Sequence, residues 1–124
     1  MDDDDKQPML IYTTWPDAAQ AEAAARRLVT NREAACVNVL GAATAIYSWQ
    51  GEAQRDVEYP MLIKTRRDQV SAVVERVRRV HPYDVPAIAA WPLDDGAPEF
   101  LAWITLQTAP LEAADDKDGN DDAE

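Results

Sequence analysis

The chain is poor in the side chains that usually carry chemistry: its 124 residues include one cysteine, one histidine, one phenylalanine and four glycines. A single cysteine cannot close an internal disulfide, so the fold does not depend on an oxidising compartment. The sequence offers no glycine-rich phosphate loop, serine nucleophile elbow or paired metal-ligand motif, and no Cys/His pair with an orienting third group, so no enzyme is expected. No apolar run approaches the roughly 18 residues of a membrane span, and no signal peptide is visible. A cytoplasmic protein without a membrane partner is the expectation.

Positive charge is also in short supply. The formal net charge is −11, but it is concentrated at the ends. Residues 1–6 carry −3 and residues 112–124 carry −6, which leaves only −2 on residues 7–111. A nearly neutral body whose arginines cluster on one helix is a poor match for nucleic acid. Met1-Asp2-Asp3-Asp4-Asp5-Lys6 is an enteropeptidase recognition sequence, so residues 1–8 read as an expression remnant and the domain is expected over 9–111. Residues 112–124 lack aromatic and branched apolar side chains and read as a disordered acidic tail.

What is present is strongly patterned. Met9 to Trp15 is apolar, aromatic and β-branched and is closed by Pro16, a strand. Asp17 follows as an N-cap with Gln20 as its reciprocal partner, opening a helix whose Ala21, Ala24, Ala25 and Leu28 share one face. Ala35–Leu40 and Ala43–Trp49, broken by Gly41, predict one long strand with a bend or bulge. Gln50-Gly51-Glu52 turns the chain into a partner strand over 56–65. Pro60 cannot donate a ladder hydrogen bond there, so it should face an edge or a bulge. Val70, Val73, Val77 and Val80 stripe a helix over 66–80, which must rely on packing because valine is a weak helix former. Ala87–Trp91 predicts a short strand and Glu99–Leu106 a last helix.

The order β-α-β-β-α-β-α fits an α+β, ferredoxin-like split βαβ sandwich with an extra C-terminal helix. Its hairpin is longer than such a sandwich requires, and another subunit is the simplest support for the excess. Two residues suit a transition metal. His81 lies at a helix end before Pro82 and Pro86, placed either to ligate or to cap the last carbonyls, with Asp84 near enough to orient its ring. Cys36 is either a soft Cu(I) ligand or a small buried hydrophobe. Tyr47, Trp49, Lys64 and Tyr83 are the candidates for a small-molecule cleft: the lysine would meet an anionic effector and the rings would wall it, or the rings would anchor an interface.

Six ordered segments together resemble the CutA divalent-cation tolerance proteins. They are Thr14-Trp15-Pro16-Asp17, Ala34-Ala35-Cys36-Val37-Asn38, Ile46-Tyr47-Ser48-Trp49-Gln50-Gly51, Ile63-Lys64-Thr65, His81-Pro82-Tyr83-Asp84-Val85-Pro86 and Phe100-Leu101-Ala102-Trp103-Ile104. The resemblance implies a homotrimer joined through its hairpins, tolerance to divalent metals and binding of copper or a similar ion. It also implies a likeness to PII-type signalling trimers, which bind effectors in clefts between subunits. Thr13 and Val80 stand where some relatives offer a further cysteine or histidine, so a copper site using those ligands cannot form here.

Overall fold

A computed structural model describes residues 3–110 of the chain. The strands are β1 (Pro8–Trp15), β2 (Cys36–Val39), β3 (Ala43–Trp49), β4 (Glu52–Arg66) and β5 (Ile88–Pro92); the helices are α1 (Ala18–Thr30), α2 (Val70–Val80) and α3 (Pro98–Gln107). The sheet is antiparallel in the order β2-β4-β1-β5, with β3 paired to the far half of β4. This is the ferredoxin-like sandwich, extended by a hairpin. The acidic tail expected over 112–124 lies outside the described residues.

Alternation along the strands decides the two faces. Ile11 pairs with Ile63, and both are fully buried against Ala21, Ala24 and Leu28 of α1 and Val73 and Val77 of α2. The small-residue face of α1 lets that helix lie close on the sheet. The intervening residues, Leu10, Tyr12, Leu62 and Lys64, point to the opposite face, where they are only half-buried. Trp91, opposite Leu10, is exposed on the same side.

The bend expected at Gly41 is a bulge. Val39 pairs with Met61 and Ala43 with Glu58, so three residues of one strand oppose two of the other. Pro60 sits at that point, and its carbonyl accepts from the Leu40 amide at 2.9 Å. A residue without an N–H therefore falls where the ladder is already interrupted. At the hairpin tip Gln50 and Gly51 both have positive φ, 52° and 82°, a two-residue type I′ turn. Gly51→Ala is expected to cost about 1 kcal/mol by thermal denaturation, because only glycine takes that φ without strain.

Several boundaries differ from the sequence reading: the partner strand expected over 56–65 runs from Glu52 to Arg66. The helix expected from Arg66 begins at Val70, because Arg66 stays extended, a 3-10 turn covers Arg67–Gln69, and the Arg66 guanidinium holds Asp68 at 2.7 and 2.9 Å. Asp17 does cap α1, accepting from the Ala19 amide at 3.4 Å. At the other end, Asp3–Lys6 form a 3-10 turn that rests on the body: the Lys6 carbonyl accepts from the Thr105 hydroxyl at 3.0 Å and Asp4 approaches Arg67 at 3.6 Å. The same end of the sheet seats α3, where Arg32 donates to the carbonyls of Leu106 and Ala109.

Candidate functional site: the cleft at the hairpin root

The α2–β5 corner is built around His81. Its side chain is buried, stacked on Trp15 at 4.4 Å between ring centroids and tilted against Tyr83 at 5.0 Å. The Tyr83 amide donates to Nδ1 at 3.1 Å. Nδ1 is therefore unprotonated, and Nε2–H donates to the Thr14 carbonyl at 2.7 Å. Both nitrogens of the only imidazole are engaged, so the ring fixes the corner to the end of β1 and has no lone pair turned outward. Asp84, the expected orienting group, makes neither of these bonds.

Cys36 lies elsewhere. It pairs with Lys64, which pairs with Leu10, whereas His81 binds at Thr14, four residues further along β1 or roughly 13 Å along the strand. The half-buried thiol has the Lys64 ammonium 3.9 Å away, and that ammonium also bonds the Asn38 side-chain oxygen. The two candidate metal ligands are thus not brought together. No group of three or more His, Cys, Asp or Glu able to hold a metal occurs among the described residues. One soft sulfur beside a cation does not fit an intrachain copper centre.

Three of the four cleft candidates do converge. Ala45, Tyr47 and Trp49 of β3 and Gln54, Asp56 and Glu58 of β4 share one face of the hairpin by register. That face turns toward Tyr83, Asp84 and Val85 of the loop held by His81, enclosing an open cleft of about 780 Å³ whose floor includes Thr14. Lys64 is not part of it, because it sits six residues along β4 from Glu58, beside Cys36. The expected match of a lysine to an anionic effector is therefore not made here.

The cleft has instead a carboxylate lining: Asp56 and Glu58, which the sequence reading did not pick out, and Asp84, which it expected only to orient His81. The signal was available, since Asp56 and Glu58 alternate on the strand partnering Tyr47 and Trp49. The Tyr47 hydroxyl donates to Asp56. That bond, with the nearby negative charge, raises the Tyr47 phenol above its ordinary 10.0. Partial burial, then Glu58 and Asp56, push the Tyr83 phenol upward too. In a spectrophotometric titration both tyrosines should ionise later than free tyrosine, and Asp56→Asn should bring Tyr47 back toward 10.

Fold and site together define a class: an α+β ferredoxin-like protein with an overlong hairpin and a ring-walled cleft at its root. Residues 9–107 match the family model described as CutA1 divalent ion tolerance protein. The chain belongs to that family. It is 44% identical over 93 residues to the Xenopus laevis protein CutA homolog, a match covering 75% of this chain but 62% of the relative, so it spans less than two thirds of that protein. It is 40% identical over 99 residues to the divalent-cation tolerance protein CutA of Thermus thermophilus, covering 80% of this chain and 96% of that one. The crystal structure of CutA1 from Shewanella sp. SIB1 superposes with a TM-score of 0.80 at 36% identity, covering 84% of this chain and 97% of the other.

Proposed function

We propose that the protein is a homotrimer that takes part in the cellular response to divalent metal ions, and that its working part is the cleft at the hairpin root. This gives it a binding role and not a catalytic one. The observation that carries the reading is the convergence of Tyr47, Trp49 and Tyr83 from two separate elements on one cavity of small-molecule size. Metal effects would then be indirect, as in a PII-like sensor, because His81 has no free nitrogen and Cys36 stands alone.

Assembly is supported by the surfaces left open. The hairpin runs past the four-stranded sheet with Trp49 and Ile46 exposed at 61% and 66%, one on each face. A two-stranded ribbon of this kind is marginal alone, and a neighbouring copy packed on its Ile46 face would support it while leaving the Trp49 face to the cleft. The helix-free sheet face with Leu10, Tyr12, Leu62 and Trp91 offers a second apolar surface to the same assembly.

Calorimetric titration of Cu(II), and of Cu(I) under reducing conditions, tests the metal part of this reading on wild type, His81→Ala and Cys36→Ser. The expected outcome is weak binding that neither substitution alters. Tight stoichiometric binding lost in either variant would overturn the indirect role and establish a copper site, with symmetry supplying the further ligands.

A further inference from the structure

The cleft's charge selects what it can hold. Among the described residues that line it there is no lysine, arginine or histidine, while Asp56, Glu58 and Asp84 all contribute carboxylates. An anion entering this space would meet three negative groups without a compensating cation, which is unfavourable in a partly desolvated site. A bare metal ion is no better served, because these carboxylates do not gather into a metal-binding group. Divalent ions need several oxygens on one point at short range. A larger cation, with its charge spread over an ammonium or guanidinium group, needs no such point.

The aromatic walls favour the same ligand. Ring faces attract cations through their quadrupoles, most strongly for tryptophan and then tyrosine. Trp49 and Tyr47 lie two residues apart on one hairpin face, with Tyr83 on the facing loop. Burial first, and then the negative charge of Glu58 and Asp56, raises the Tyr83 phenol.

We propose that this cleft binds a small organic cation, an amine or guanidinium compound whose charge is met by Asp56, Glu58 and Asp84 and whose body lies against Trp49 and Tyr83. The inference rests on the cleft being the working site, and it replaces the anionic effector expected from Lys64.

The test is calorimetric titration of the full-length assembly with agmatine, with ATP as the anionic probe and magnesium chloride as the inorganic cation. Each probe is run on wild type, Trp49→Ala, Asp84→Asn and the double variant Asp56→Asn/Glu58→Gln. Agmatine should bind the wild type, weaken roughly tenfold or more in Trp49→Ala and in the double variant, and weaken with added salt. Asp84→Asn changes only an exposed loop residue, so it reports on charge even where a hairpin variant alters assembly. Agmatine heat that is equal in all variants would place the cation on the acidic termini and overturn the proposal. ATP binding that depends on Trp49 would keep the cleft as a site but overturn its cationic selectivity, and variant-sensitive heat from magnesium equal to that from agmatine would do the same in favour of an inorganic ion. No cleft-dependent signal with any probe would overturn both this inference and the reading on which it rests.

Discussion

Leu62→Asp is expected to convert the proposed trimer to monomers and to lower the thermal midpoint sharply. Leu62 is half-buried in the isolated chain, on the sheet face that neither α1 nor α2 covers, next to Tyr12 across the ladder. Full burial of a leucine against a neighbour stabilises by about 2 kcal/mol. A carboxylate there forfeits that gain and must also be desolvated without a partner. In a trimer the loss occurs three times, so sedimentation should show a single-chain species at micromolar concentration, with melting that no longer depends on concentration. A variant that stays trimeric with an unchanged midpoint would show that this face is not the interface. The contrasting change, Ile63→Ala, lies one residue away on the helix side and should cost about 2–5 kcal/mol as a cavity. That loss needs no change in the contacts between copies.

Trp15→Ala should be the most damaging single truncation in the body of the sandwich, at about 3–5 kcal/mol. Trp15 is fully buried at the end of β1, packs among α1, α2 and the sheet, and supports the His81 ring from one side. Its removal opens a cavity and also releases the ring that ties Thr14 to Tyr83. His81→Ala alone should cost about 2 kcal/mol, from two hydrogen bonds and a stacked contact. The double variant should lose less than the sum, since the two residues touch. Chemical denaturation of all four proteins measures that coupling. Additive losses would mean that the stacked pair contributes nothing beyond its separate packing. The loop carrying Tyr83 and Asp84 should loosen in either single variant, with faster amide exchange at Tyr83, because its anchor to β1 is gone.

Much of the architecture was legible in the order of residues. Period-two and helical spacing placed every strand and helix of the sandwich, the bend at Gly41 and the turn at Gln50-Gly51. Pro60 announced an interruption in its own strand, because a missing N–H is a local property that no tertiary contact restores. Errors were confined to ends. Arg66 belongs to β4 and not to α2, since its guanidinium is satisfied by Asp68 through a turn that helical periodicity does not encode.

The site divides along the same line. That one histidine and one cysteine limit the soft-donor chemistry was fixed by composition. That His81 spends both nitrogens on backbone groups, while Cys36 faces Lys64 on another part of the sheet, followed only from pairing partners many residues away in sequence. Tyr47, Trp49 and Tyr83 were visible as aromatics, but their meeting in one cleft depends on hairpin register and on the loop held at Thr14. Lys64 was separated from them for the same reason. A strand carries its residues along a line, and distance along that line cannot be closed by side chains. Sequence alone therefore determined which groups are available and which elements carry them, because propensity, charge and the missing N–H of proline act locally. The tertiary structure decided which groups face each other, because register and long-range packing set those distances.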